Sequence, residues 1–295
     1  MFKVITAFIC SILLASTAQA AGPDWSTVEK YLGRKGMVED NMLKVTFPRS
    51  DLNVKVGDFT VSPGLALTSW FAFRQEADAT SVMGDLVLRE EEVAPVMKKL
   101  MSQHIWVTAL HNHLMNEKPR VMYMHFGGRG DAGELALSLK SALMLTGTPL
   151  GPPPPPDAAV AKAIDWSKVE KFFGKPGRAS GNVVSFSFQR AKPVTEMGAE
   201  IPAFMGMATA VNMQAGGDKS VAYGDFVLEA GEVEPVAETL VSFGLSVTAI
   251  HNHMLFEEPR LFFMHFWGVG DPAVLAEGIR AALEKTATTL APKGQ

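Results

Sequence analysis

The sequence predicts an α+β protein made of two tandem copies of one domain, each copy a mainly antiparallel sheet covered by helices. Three observations support this prediction. The chain repeats its own sequence at a nearly constant offset, a run of prolines separates the copies, and within each copy strand-like segments alternate with apolar residues at helical spacing. With 295 residues, the chain is long enough for two ordinary domains.

The internal repeat sets the domain boundaries. Its densest part compares residues 107–131 with 247–271, where 15 of 25 positions are identical. Agreement of this length indicates a duplication. The five prolines from Pro152 to Pro156 favour an extended spacer between the copies. The predicted parts are a signal peptide at 1–20, repeat domain 1 at 22–150, a proline-rich linker at 151–163 and repeat domain 2 at 164–295.

The first copy begins with a helix and a set of strands. A short helix capped by Asp24 is predicted, and Gly33 ends it. Apolar residues at helical spacing then predict a second helix with Pro95 in its first turn, where a missing N–H costs nothing. Between these two helices, strands are predicted around residues 43–47, 66–73 and 81–88.

Each copy ends with a hairpin and a helix. The hairpin of the first copy has a turn that contains Pro119, and it carries the densest part of the repeat. Asp131 is expected to cap the helix that follows. In the second copy Asp271 takes the cap position and Pro272 the first helical position, which is typical of a helix start.

The N-terminal segment predicts export. Lys3 precedes the short apolar run from Val4 to Leu14, and Ala18-Gln19-Ala20 has the small residues of a cleavage site. We therefore expect cleavage near Ala20 and a periplasmic or secreted protein. The only cysteine, Cys10, lies inside this segment, so the mature chain would have no disulfide and no thiolate ligand.

Composition excludes some classes of partner. Hydrophobic residues make up 47% of the chain, charged residues 20%, and the net charge is -4. A nucleic-acid partner is not expected, because phosphates require a concentrated basic surface. No stretch of the mature chain approaches the length of a transmembrane helix. The expected partner is a small molecule or a component of the cell envelope, and the two repeats are expected to dock as an intramolecular pseudo-dimer.

Six of the seven histidines lie in the repeated hairpin. Alternation along a strand puts His111 and His113 on one face, and a turn centred near Lys118 would place His111 opposite His125. The opposite face, which includes Leu110, Leu114 and Met124, would then suit the core. His104 has no counterpart and is treated as an ordinary exposed histidine. The candidate metal ligands are His111, His113 and His125 in the first copy and His251, His253 and His265 in the second.

Three neutral imidazoles that meet at one point suit a divalent transition metal, with zinc favoured over copper, nickel and iron. Glu117 and Glu257 follow the second histidine by four residues and are candidates for a fourth ligand or a general base. This pattern predicts metal binding or metal-assisted hydrolysis at one site in each repeat. The alternative is an envelope interaction module without catalysis, in which the histidines form a hydrogen-bonded sheet face.

Several strings resemble a known family. They are Met83-Gly84-Asp85-Leu86-Val87-Leu88, the segment from Val107 to His113, and the segment from Glu258 to Phe266. They resemble a secreted bacterial domain family of unknown function, similar to the mycobacterial lipoproteins LppY and LpqO, over nearly all of the mature chain. The chain lacks the small residues before Cys10 that lipid attachment requires. The resemblance implies the repeated fold unit and export, and it implies no particular activity.

Overall fold

The structure, a computed structural model, describes residues 22–153, 155 and 164–292. The predicted signal peptide and most of the predicted linker lie outside this part of the chain. Within the described residues, no helix combines the length and apolar character needed to cross a membrane.

The elements of the first repeat begin two residues after Asp24, and a short helix α2 interrupts its strands. In chain order they are α1 (Ser26–Leu32), β1 (Met37–Glu39), β2 (Met42–Pro48), β3 (Lys55–Val56), β4 (Phe59–Thr60), α2 (Pro63–Ala66), β5 (Thr68–Gln75), β6 (Thr80–Arg89), α3 (Glu90–Ser102), β7 (Trp106–His111), β8 (Glu117–Lys118), β9 (Val121–Gly130) and α4 (Ala132–Leu143).

The second repeat has the same order, with a 3₁₀ turn in the place of α2. Its elements are α5 (Ser167–Phe173), β10 (Arg178–Ser180), β11 (Val183–Gln189), β12 (Thr195–Glu196), β13 (Ala199–Glu200), the 3₁₀ turn (Ala203–Met205), β14 (Ala208–Gly216), β15 (Lys219–Leu228), α6 (Ala230–Ser242), β16 (Ser246–His251), β17 (Glu257–Glu258), β18 (Phe262–Gly270) and α7 (Pro272–Leu283).

Each repeat contains a six-stranded sheet whose strands all pair antiparallel. The strand orders are β1-β2-β5-β6-β9-β7 and β10-β11-β14-β15-β18-β16, so the histidine hairpin lies at one edge of each sheet. Two small three-stranded sheets, β4-β3-β8 and β13-β12-β17, extend from the large ones. The predicted fold class, two tandem α+β units with mainly antiparallel sheets, is therefore confirmed.

One face of each large sheet is covered by the helices of its own repeat. In the first repeat, Phe71, Met124 and Phe126 on the sheet pack with Leu139 and Leu143 of α4 in one apolar core. The starts of α4 and α7 are those expected from the sequence. The Asp131 carboxylate accepts a hydrogen bond from the Glu134 N–H at 3.0 Å, and Asp271 accepts from two N–H groups of α7.

The position of Pro95 differs from the prediction. Helix α3 begins at Glu90, so Pro95 is its sixth residue and lies beyond the first turn. The reason is a capping box that starts the helix early: the Glu92 carboxylate accepts a hydrogen bond from the Arg89 N–H at 2.8 Å. The apolar residues alone did not reveal this start, because the first turn consists of the exposed acids Glu90 and Glu91 and the buried Glu92.

The other faces of the two large sheets pack against each other. Two further apolar clusters combine residues of both repeats, for example Leu114 with Val183, and Ala72 with Phe263. Matching hydrogen bonds join the two histidine hairpins across this interface. The Asn112 side chain donates to the Thr248 carbonyl, and the Asn252 side chain donates to the Thr108 carbonyl, both at 2.9 Å.

This shared interface leads to a prediction about separated repeats. Expressed alone, residues 22–150 or 164–292 would expose the apolar residues that the other repeat covers, and a large exposed apolar face drives association. We expect each half to aggregate or self-associate, and the two halves to form a soluble 1:1 complex when co-expressed. Light scattering after size-exclusion chromatography measures this. Two stable monomeric halves that do not combine would show that the interface is dispensable.

Candidate metal centre

The pairing of the histidine hairpin differs from the prediction. Strand β7 pairs with β9 with an irregularity between Val107 and Ala109, and on the turn side of this bulge Ala109 lies opposite His125 and His111 lies opposite Tyr123. The predicted pairing of His111 with His125 is therefore wrong by two residues. The extra residue is Thr108, whose hydroxyl donates to the backbone carbonyl of His253 and whose carbonyl accepts a hydrogen bond from the Asn252 side chain, both in the second repeat. Thr248 causes the same irregularity in β16.

The expected core face of the hairpin is only partly correct. Met124 belongs to the helix-covered core as predicted, and Phe126 packs in the same core. Leu110, however, is 43% exposed, because β7 is the edge strand of its sheet. Leu114 lies after the strand has ended and packs in the interface between the repeats.

All six hairpin histidines meet at this interface and form one cluster, which we call the histidine cluster. Each ring of one repeat lies against a ring of the other, with centroid distances of 3.6 Å for His111 and His251, 3.8 Å for His113 and His265, and 3.8 Å for His125 and His253. Five of the six are buried and His251 is half-buried. The sequence predicted a separate group of three in each repeat, whereas the structure merges the two groups.

Two aspartates complete the cluster. Asp85 on β6 is the strand neighbour of His125, and Asp225 on β15 is the neighbour of His265. The Asp85 carboxylate lies 3.4 Å from Nε2 of His113, and the Asp225 carboxylate lies 3.1 Å from Nε2 of His253. These residues were absent from the predicted site. The available signal was a Gly-Asp pair that occurs in both copies inside an otherwise apolar strand.

Backbone carbonyls orient three of the imidazoles. Nδ1 of His125 lies 3.2 Å from the Gly84 carbonyl, and Nδ1 of His265 lies 3.1 Å from the Gly224 carbonyl. Nδ1 of His251 lies 3.0 Å from the carbonyl of Asn252. Since a carbonyl only accepts, Nδ1 carries the proton in each ring and Nε2 presents a lone pair to the cluster. This is the orientation that metal-ligating histidines commonly have.

The cluster also concentrates buried polar atoms that lack a hydrogen-bond partner. Most buried polar atoms in proteins have a partner, so several without one in the same place indicate a missing group. Nε2 of His253 is one of these atoms, because its 3.1 Å contact with the Asp225 carboxylate lacks the geometry of a hydrogen bond. Among the described residues, the atoms concerned here are Nδ1 of His111, Nε2 of His125, His251, His253 and His265, and Oδ1 of Asp85 and Asp225.

Burial keeps the imidazoles neutral. It lowers the pKa of His265 to about 3 and the pKa values of His113 and His125 well below the ordinary value, and the neighbouring histidines add to the effect in the last two. Burial likewise raises the pKa of Asp85 well above its ordinary value, with the charge of Asp225 as the next cause. Neutral imidazoles with free lone pairs are the form that binds metal ions.

The cluster contains three sets of ligand atoms, each compact enough to hold one ion. Within each set the ligand atoms all lie within 4.8 Å of one another. Two sets draw on both repeats and the third lies within the second repeat. Imidazole nitrogen with carboxylate oxygen is a typical zinc donor set, so the residues present fit the metal that the sequence predicted. The sets are His111, His113 and His265; His111, His125 and His251; and Asp225, His251 and His265.

The structure places Glu117 and Glu257 outside these three sets. Glu117 is buried in β8, where its carboxylate lies 3.3 Å from the Val121 N–H and 3.4 Å from Arg120. Glu257 makes the matching contacts with Leu261 and Arg260, both at 3.1 Å. Both acids therefore hold the hairpin loop together, and the carboxylates beside the imidazoles belong to Asp85 and Asp225.

Comparison with known families agrees with the duplication. Residues 26–145 and 167–285 each match the family described as Domain of Unknown Function (DUF1259). The chain belongs to this family. No curated protein matches the chain.

Solved structures with similarity to this DUF1259 chain are remote. One is a trimeric bacterial microcompartment shell protein, PduB, at 9% identity and a TM-score of 0.22, covering 86% of this chain and 90% of that protein. Another is EtuB from Clostridium kluyveri, at 8% identity and a TM-score of 0.21, covering 88% and 96%. TM-scores this low support no inference about the DUF1259 repeats.

A cavity between the two DUF1259 repeats reaches the histidine cluster. Its volume is about 250 Å³, and its lining includes His113, His125, His253 and His265 together with both aspartates. The exposed Thr46 also lines it, so the cavity opens to solvent. A molecule of modest size can therefore reach the imidazole nitrogens without separation of the repeats.

Proposed function

We propose that this DUF1259 protein binds one divalent transition-metal ion at a centre shared by its two repeats, with zinc favoured over copper, nickel and iron. The observation that carries the proposal is the set of buried imidazole nitrogens without partners, oriented toward one another by backbone carbonyls. An ion bound to three ligands would satisfy the unpartnered atoms of its own set, and in the two sets that draw on both repeats it would also join the repeats across their interface.

The rival interpretation, a structural histidine face, accounts less well for these atoms. A purely structural polar network is stable only when its members satisfy one another. Here, facing rings of opposite repeats have centroids only 3.6 to 3.8 Å apart, while four Nε2 atoms make no hydrogen bond. Burying six imidazoles and two carboxylates in this way is costly unless a ligand compensates for it.

The stoichiometry follows from the overlap of the ligand sets. Any two of the three sets share one imidazole: His111, His251 or His265. A neutral imidazole coordinates one ion, so filling one set removes a ligand from both others. We therefore propose one ion for each chain, in place of the one ion for each repeat that the sequence alone suggests.

The proposed site of action is outside the cytoplasm. Support comes from the signal-like segment at 1–20 and from the resemblance of the sequence to exported lipoproteins. Metal-assisted hydrolysis is a second candidate function. It is favoured by the solvent-accessible cavity and by a three-ligand centre, which leaves a coordination position for water.

Metal content tests the proposal. Purified protein is stripped with chelator, incubated separately with Zn²⁺, Cu²⁺, Ni²⁺ and Fe²⁺, and dialysed before elemental analysis. We expect one equivalent of zinc per chain, and the same value for the His104→Asn variant, which changes an exposed histidine outside the cluster. Two equivalents would show a separate site in each repeat, and no retained metal of any kind would favour the structural interpretation.

A further inference from the structure

The cavity that leads to the histidine cluster contains an ammonium group without an acidic partner. Lys44 on β2 lines the cavity, and its Nζ donates to the carbonyl of Phe204 at 3.2 Å and lies 4.2 Å from the ring centre of Trp70. In the part of the chain that the structure describes, no carboxylate lies within ion-pair distance of Lys44. A carbonyl and an aromatic face leave its charge uncompensated.

The cation belongs to the first repeat alone. Register within the sheets places Ser185 at the position of Lys44 and Ala210 at the position of Trp70. The second repeat therefore forms the same fold without a lysine and a tryptophan at these two positions. A half-buried lysine without an acidic partner, which the fold does not require, points to a ligand.

We propose that the cavity binds a small organic or inorganic anion, with its carboxylate or phosphate oxygens held by Lys44 and directed toward the metal centre. This inference rests on the proposed function only for the ion at the inner end of the cavity. There, a three-ligand centre leaves a coordination position that an anionic oxygen can occupy.

Charge and size both support an anion. A divalent ion and the Lys44 ammonium together outweigh Asp85 and Asp225, so the loaded cavity carries net positive charge. A volume of about 250 Å³ equals roughly eight waters, which suits a small acid rather than a polymer. Burial lowers the pKa of Lys44 to about 8, and a bound anion would favour its charged form.

The test is calorimetric titration of the zinc-loaded protein, freed of excess metal, with three probes: inorganic phosphate, acetate and the neutral acetamide. The same titrations are run on metal-free protein. We expect phosphate or acetate to bind and acetamide not to bind. Lys44→Met should weaken anion affinity by about tenfold or more, the loss expected for a charge-assisted hydrogen bond, and Lys44→Arg should retain most of it.

Lys175→Met is the matched control. Lys175 lies 4.4 Å over the Phe188 ring in the second repeat, outside the cavity, and its removal changes net charge equally. Equal affinity in Lys44→Met and wild type, or equal weakening in Lys175→Met, overturns the inference. Zinc content measured on the same samples separates the two proposals. If zinc is retained but Lys44→Met does not change anion affinity, the metal centre stands and the anion site is contradicted. If Lys44→Met weakens anion binding but no zinc is retained, the metal centre alone is contradicted.

Discussion

Replacing His251 and His265 with glutamine is expected to remove all bound metal, although His111, His113 and His125 remain. Every three-ligand set contains at least one of the two replaced residues. The first repeat on its own offers no complete set among its described residues. Elemental analysis after zinc loading should give one equivalent per chain for the wild type and close to none for the double variant.

Two controls make this result specific to a shared centre. His253→Gln changes a cluster histidine that belongs to none of the sets, and it should keep most of the metal. His104→Asn should behave as wild type. Independent sites in each repeat predict a different outcome, in which the double variant retains half of the metal at the three histidines of the first repeat.

Acid is expected to destabilise the metal-free protein strongly below pH 6.5. Burial lowers the pKa values of the cluster histidines in the folded state, whereas the unfolded chain protonates them near the ordinary value of about 6.5. The unfolded state then binds more protons, and stability falls as pH decreases from 6.5 toward about 3, the pKa of His265. The raised pKa values of Asp85 and Asp225 oppose this trend, because the folded state holds their protons.

When all six histidines are protonated in the unfolded chain alone and both carboxylates in the folded state alone, the unfolded chain binds a net four more protons, which changes stability by about 5 kcal/mol per pH unit. Thermal unfolding in chelator should therefore show Tm lower by roughly 10 °C or more at pH 5.5 than at pH 7. Changing His125 and His265 to glutamine should reduce this slope, while His104→Asn should leave it unchanged. A Tm that stays constant between pH 7 and pH 5 would mean that the cluster is not buried as described.

Much of the fold was predictable because it depends on local signals and on the duplication. Apolar alternation marked the long strands, and Asp131, Asp271 and Pro272 marked the helix starts. Which histidines form the cluster was predictable as well, since a repeated His-x-His followed by a third histidine is an uncommon pattern. These features depend on residues that lie close together in the sequence, so they can be predicted without knowledge of long-range packing.

The arrangement of the site was not predictable in the same way. Thr108 and Thr248, the bulged residues, bond the opposite repeat, and each bulge shifts the pairing of its hairpin by one residue. The joining of the two histidine groups depends on which sheet faces meet. Asp85 and Asp225 lie far from the histidines in sequence, and pairing of β6 with β9 and of β15 with β18 brings them close.

Anomalous diffraction from crystals of the zinc-loaded protein tests the shared centre most directly. Data collected on both sides of the zinc absorption edge locate the ion without reference to the protein coordinates. We expect one strong peak at the interface between the repeats, about 2.0 to 2.1 Å from an imidazole nitrogen of each repeat. Two peaks, each bound by the histidines of a single repeat, or a single peak away from the cluster, would contradict a metal centre that both repeats build.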